Sequence, residues 1–291
     1  MASGGLADEI RSKLGDLSPA ERKVARVLLA AYPSAGFETV ATLAERAGVS
    51  GPTVIRFAHR LGYRGFPGFQ TALREELDER NASPLSLYEA TGYGRARTAE
   101  EGEELPLTER TGAAFTSGVS RTLAELPPHD LDHAVRLLTD SKRRITLTGG
   151  RFTQLLAQYL GLHLMQLRDD VRLLPDREVE RTAVLAALGR RDVLVVFDFR
   201  RYEQDKVALA QLVQEHGGKV VLFTDPWLSP VTTHADVVLP AHVDAPSPYD
   251  SLVPTLAVVE TVVAAVITAL GEDAHAHMRR AEDTAGRIGL Y

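Results

Sequence analysis

Apolar residues recur at helical spacing through roughly the first eighty positions, and the pattern changes to short apolar runs alternating with helical stretches after about residue 144. Residues 6 to 31 hold two helical patterns. The second opens on Ser18-Pro19-Ala20-Glu21, a capping-box signature, and continues with Val24, Val27, Leu28 and Ala31 on one face. A short helix is predicted from Val40 to Ala47, with Val40, Leu43, Ala44 and Ala47 aligned, and Gly48 ends it. Val49 reads as a buried turn residue. Ser50 is an N-cap candidate for a following helix, and Pro52 sits in its first turn, where its missing N–H costs little. That helix carries Val54, Ile55, Ala58 and Leu61 on an apolar side and Thr53, Arg56, His59 and Arg60 opposite, until Gly62 closes it. A further helix is expected from about Phe66 to Arg80. The pattern then dissolves through Ala82-Ser83-Pro84, Gly92-Tyr93-Gly94 and the acidic run Glu100 to Glu104, which read as a linker over residues 81–110.

Helices are expected from about Gly112 to Leu126 and from Leu131 to Thr139. Beyond them, Ile145–Thr148, Val171–Leu174, Asp192–Phe197, Lys219–Thr224 and Val237–Leu239 read as strands. Helical stretches at Phe152–Leu167, Glu178–Leu188, Glu203–His216 and Asp250–Leu270 alternate with them. DVLVVF at Asp192–Phe197 is apolar after its first residue, as suits a strand buried on both faces. The fold class expected is a two-domain chain: an all-helical head over residues 1–80, then a mostly parallel, doubly wound α/β body over 111–291. In such sheets ligands bind beyond the C-terminal strand ends.

Charge sharpens this division. The 291-residue chain carries a net −6, yet residues 42 to 74 hold five arginines against one glutamate, a net +4 that leaves −10 for the rest. A basic module on an acidic body suits a nucleic-acid reader joined to a body with another task. The chain has no cysteine, which excludes disulfides, cysteine-based zinc sites and thiol nucleophiles. MASGGLADEIRSKLG lacks a secretory pattern, and the apolar run Leu256–Leu270 is broken by Glu260 and reads as too short for a bilayer, so a cytoplasmic protein without membrane contact is expected. His275 and His277, two apart in a polar tail, do not make a metal site, and no cofactor is implied.

Helix, tight turn and arginine-rich second helix form the layout of a helix-turn-helix reader of double-stranded DNA. A groove-binding helix must offer donors to base edges and cations to phosphates. The expected contacts are Ser50, Thr53, Arg56, Arg60 and Arg64, with Thr53 and Arg56 nearest the bases and Arg60 and Arg64 nearer phosphates.

LSPAERKVARVLLAAYP, TVATLAERAGVS and TVIRFAHRLGYRGFPGF in the head resemble the RpiR/MurR family of bacterial transcriptional regulators. ITLTGGRFTQLLAQYL, DVLVVFDFRRYEQD, GGKVVLFTDPWLSPVTTHADVVLP and the final long helix extend the resemblance over nearly the whole chain. It implies a sugar-isomerase-like (SIS) body that binds an effector and dimerises. A two-fold dimer or dimer of dimers would read an inverted repeat with half-sites about 34 Å apart or a multiple of that.

The resemblance implies, for SIS domains that bind sugar phosphates, a glycine-rich turn ending in Ser after the first strand and a Ser/Thr-rich turn after the strand matched by Asp192–Phe197. Here the first turn is Gly149-Gly150-Arg151-Phe152-Thr153, where Thr153 retains one hydroxyl. The second, Asp198-Phe199-Arg200-Arg201-Tyr202, has no Ser, Thr or Gly. Two readings stay open. Arg151, Arg200 and Arg201, with Tyr202, Gly149, Gly150, Thr153 and Ser247, hold a small anion such as a sugar phosphate, sugar acid or carboxylate. Alternatively the arginines pair with Asp198, Glu203 or Asp205 and the body serves only for dimerisation. A sugar-phosphate isomerase with an accessory head is the rival class, opposed by the lost hydroxyls and by the lack of an acid/base pair.

Overall fold

Helix α1 (Leu6–Ser12) and helix α2 (Pro19–Ala30) begin the head. Ser18 caps α2 reciprocally: its hydroxyl accepts the Glu21 N–H at 3.3 Å, while the Ser18 N–H donates to the Glu21 carboxylate at 2.8 Å. Helices α3 (Val40–Ala47), α4 (Gly51–Leu61) and α5 (Gly65–Asn81) follow. Gly48 is left-handed at φ 60°, so its N–H can reach back to the carbonyls of Ala44 and Glu45 and end α3. One core unites these helices, centred on Ile10, Val24, Leu28, Leu43, Val54, Phe57, Leu61, Phe66, Phe69 and Leu73.

The computed structural model describes residues 6–91 and 105–290. The glycine cluster at 92–94 and the acidic run at 100–104 lie outside the described residues. The chain divides into two compact units, Met1–Ala82 and Ser83–Tyr291. The stretch read as unpatterned contains helix α6 (Pro84–Thr91).

In the second unit, helices α7 (Leu107–Glu125) and α8 (Pro128–Thr139) precede strand β1 (Arg144–Gly149). Helix α9 (Gln154–Leu167), strand β2 (Val171–Leu173), helix α10 (Glu178–Ala186), strand β3 (Asp192–Phe197), helix α11 (Gln204–Glu215), strand β4 (Lys219–Thr224) and strand β5 (Val237–Pro240) come next. Helices α12 (Val253–Leu270) and α13 (Glu272–Ile288) complete the unit. The five strands are parallel throughout, in the order β2-β1-β3-β4-β5.

Alternation along the strands builds two layers. Ile145, Leu147, Val193, Val195, Phe197, Val221 and Phe223 face the layer of α8, α9 and α12. Leu194, Val196, Val220 and Leu222 face α10 and α11. Registers Gly149 with Phe197 and Phe197 with Phe223 bring the strand ends level, so the turns after β1, β3, β4 and β5 emerge at one edge. The order in which strands are added reverses at β1, with β2 on one side and β3 to β5 on the other, which makes the crevice between the β1 and β3 turns the topological switch point.

Two expectations change here. The polar tail with His275 and His277 is helical, forming most of α13 against α9. The final apolar stretch is a regular 18-residue helix, long and apolar enough by length and composition alone to cross a membrane. Its inner face, Val258, Val259, Val262, Val263 and Val266, packs in the core beside the sheet.

Candidate functional site

In the head, α3, the turn at Gly48–Ser50 and α4 form a bihelical unit. Val54, Phe57, Ala58 and Leu61 lock α4 inward. Its outward face is Pro52, Ile55, Arg56, His59 and Arg60, with Arg64 exposed just beyond. Two residues exchange sides relative to the sequence reading. Thr53, expected on the outward side, is 4% exposed, while Ile55, expected on the apolar side, is 41% exposed. Phe57 explains this. A bulky aromatic four residues after Thr53 sets the inward direction, and Ile55 then falls about 200° away from it.

The Thr53 hydroxyl accepts from the Arg56 guanidinium at 3.0 Å and lies 3.0 Å from the Ser50 hydroxyl. The Ser50 side chain therefore makes no cap bond to the helix backbone, although Ser50 stands at the N-cap position, and Thr53 holds Arg56 instead of facing outward. Val49 is half-buried. The Lys13 ammonium donates to the Leu61 carbonyl at 2.9 Å, meeting the negative end of α4. Burial pushes the Glu21 carboxyl up, but its bonds to Ser18 and the nearby Arg60 and Arg56 charges outweigh that and hold it below the usual range.

The crevice in the second unit is built by the two turns at the switch point. Gly149 has no room for a side chain: a Cβ would lie 2.5 Å from the Gln154 nitrogen and 2.6 Å from the Thr153 carbonyl carbon. The chain thus folds directly back over the end of β1 into α9. Three of the turn's N–H groups are engaged within the unit. That of Gly149 donates to Gln154 Oε1 at 2.8 Å, that of Gly150 to Thr153 Oγ1 at 2.8 Å, and that of Arg151 to Glu203 Oε1 at 3.2 Å. Thr153, 5% exposed, donates its own proton to the Phe197 carbonyl at 2.9 Å. Its hydroxyl ties the two turns together, a different task from the ligand contact expected.

The three arginines are unlike one another. Arg200 forms a two-pronged pair with Asp250, Nε to Oδ2 at 2.7 Å and Nη2 to Oδ1. Its guanidinium carbon stands 5.0 Å from the Trp227 ring centroid, and its N–H donates to Asp225. Arg200 is thus held by Asp250, a carboxylate outside the three that the sequence reading offered. Arg151 is 61% exposed and only loosely placed against Glu203, at 3.8 Å. Arg201 is exposed and left-handed at φ 66°, a conformation costing a non-glycine residue about 1–2 kcal/mol. Tyr202 turns its hydroxyl to Asp225 at 2.7 Å. Ser247 is exposed and bonds within its own turn to Tyr249.

Buried charge completes the crevice. Asp198 accepts from the Ser229 hydroxyl and from the Glu203 N–H at 3.2 Å, and burial pushes its carboxyl up to about 6. Lys206 is buried between Glu203 at 2.8 Å and Asp205 at 2.9 Å. His242, beyond β5 and also buried, donates its backbone N–H to the Thr122 hydroxyl oxygen at 2.9 Å and sets its ring 2.9 Å from Glu125 of α7. Sequence reasoning missed Trp227, Lys206 and the pairing of Asp250 with Arg200.

Comparison with known proteins agrees with both units. The family described as "Helix-turn-helix domain, rpiR family" matches residues 4–80, and the SIS domain matches residues 137–265. The HTH-type transcriptional regulator HexR of Pseudomonas aeruginosa is 26% identical over 283 residues, covering 96% of this chain and 95% of the relative. The uncharacterised HTH-type transcriptional regulator YfhH of Escherichia coli is 30% identical over 215 residues, covering 74% and 73%. Among solved structures, the sugar isomerase domain of an RpiR transcription factor from Sphaerobacter thermophilus aligns with a TM-score of 0.57 and 26% identity, over 61% of this chain and 98% of that one.

Proposed function

The chain belongs to the RpiR family of HTH-type transcriptional regulators with an SIS domain, and from that premise we propose that it reads an inverted-repeat operator as a dimer and adjusts that binding to a small anionic metabolite. The outward face of α4 carries the first part. It presents Arg56, His59 and Arg60 around Ile55, with no acidic residue among them. Arg56 suits a guanine edge, Ile55 a thymine methyl, and Arg60 and Arg64 the phosphates on either side. Ser50 and Thr53 act from behind by holding Arg56.

The dimer reading rests on an apolar layer. Leu155 and Leu162 of α9, Ile267 of α12 and Leu123 of α7 are exposed large apolar residues on neighbouring helices, and only seven of the 18 residues of α12 are buried within the unit. A second copy related by a two-fold axis would cover this face and set two heads against two half-sites. The absence of a membrane partner and a cytoplasmic location belong to the same reading.

The sensing reading rests on the crevice at the switch point, where Arg151, Arg200 and Arg201 gather at the ends of β1 and β3 beside Tyr202. A ligand alters operator affinity only if it prefers one arrangement of the dimer. The test is selection of binding sites from random DNA with the full chain, followed by titration with sugar phosphates, sugar acids and dicarboxylates. Recovery of an inverted repeat whose affinity an anion changes is expected. Sequence-indifferent DNA binding would sink the operator reading, and an operator deaf to every anion would leave the second unit to dimerisation alone.

A further inference from the structure

The Arg200–Asp250 pair has the geometry of a bound ligand. Its guanidinium fork is rigid, fixed by the Trp227 face and by the Asp225 contact to its backbone, and its side chain is 11% exposed. Its partner is not on a regular element. Asp250 is 25% exposed and lies at the end of an irregular segment between β5 and α12. The base of that segment is closed separately, where the Ser251 N–H donates to the Val243 carbonyl at 2.9 Å. The carboxylate therefore sits on the fork without being needed to join the segment's ends.

We propose that Asp250 is a resident stand-in for the effector's own carboxylate, and that the crevice is a carboxylate subsite in which the ligand displaces Asp250 from Arg200. This rests on the sensing reading above and narrows its ligand class. A carboxylate has two oxygens in one plane and matches the fork edge to edge. A phosphoryl group needs a cradle of converging N–H groups, and those of Gly149, Gly150 and Arg151 in the β1 turn already donate to Gln154, Thr153 and Glu203. The effector class is then a sugar acid or other hydroxylated carboxylate, with Tyr202 and the exposed Arg151 and Arg201 placed around its remaining groups.

Chemical rescue tests this with the full chain. Asp250→Ala should lower the melting temperature by about 4 °C. Sodium acetate should restore most of that loss, beyond chloride at the same ionic strength, and inorganic phosphate should restore less than half as much. Adding Arg200→Lys should abolish the acetate effect, because an ammonium lacks the fork. Asp250→Asn, which keeps the side-chain shape, serves if the alanine variant does not fold; acetate should then stabilise it more than the parent. Acetate no better than chloride, or phosphate as good as acetate, overturns the proposal. The two readings can fail separately. Acetate rescue in a protein whose operator ignores gluconate, citrate and every sugar acid overturns sensing and leaves the subsite. Operator release by glucose 6-phosphate without acetate rescue does the reverse.

Discussion

Arg56 rests its guanidinium on the Thr53 hydroxyl, 3.0 Å away and one turn nearer the N-terminus of α4. A long side chain on a solvent-facing helix would otherwise sample many rotamers, and this contact, backed by Ser50, narrows them before any DNA arrives. Thr53→Val keeps the buried volume and removes the acceptor. It should leave the melting temperature within about 3 °C of the parent while reducing discrimination at the base pair facing Arg56. Fluorescence anisotropy on operator variants measures this. Unchanged base preference would show that Arg56 needs no such support.

Arg64 is exposed just past the end of α4, and the proposed operator reading gives it a phosphate contact. Arg64→Ala should weaken all sequences alike and flatten the dependence of log K on log salt by about one. Ile55→Ala should act differently, lowering affinity mainly for operators with thymine at one position. Salt titrations of the two variants on matched DNAs separate the roles, and an unchanged slope for Arg64→Ala removes it from the interface.

Charges placed in the apolar layer should divide the dimer proposed above. Leu155→Glu with Leu162→Glu adds two like charges to a face of α9 that is already exposed, so the fold should tolerate them. Sedimentation velocity should then report a monomer at micromolar concentration, with operator affinity falling at least tenfold. A variant that stays dimeric would place the two-fold axis on another face.

Asp198 gives a pH dependence with a definite sign. Burial raises its folded carboxyl from 3.8 to about 6. Between those values the folded chain keeps a proton that the unfolded chain has lost, so stability falls as pH rises from about 4 to about 6 and then levels off. Asp198→Asn lacks that slope. The stability of the parent relative to this variant should therefore decline by about 3 kcal/mol at most across the window. Denaturant melts at pH 4.5, 5.5 and 7 test it, and a flat difference would mean that the Ser229 and Glu203 hydrogen bonds cancel the effect of burial.

Local signals carried the outline of this fold, and tertiary ones escaped. The capping box at Ser18–Glu21, the glycine after α3 and the bounds of β3 and β4 depend on neighbours in sequence, and each was legible. The inward phase of α4 was not, because Phe57 was left out of the apolar set and Ile55 took its place. The partner of Arg200 lies fifty residues onward in the chain, and only the folding of the segment after β5 brings Asp250 to it. Thr153 shows the same limit: its residue type suggested a ligand contact, while its place between two parallel strand ends gave its hydroxyl to the Phe197 carbonyl.

Strand β3 has a consequence for how the second unit melts. Val193, Val195 and Phe197 belong to one hydrophobic layer and Leu194 and Val196 to the other, with every residue of the strand buried. Neither layer can be stripped away without exposing half of a strand that the other still needs. Partial unfolding is thereby penalised, and the unit should open as a single cooperative block whose slowest-exchanging amides are those of β3.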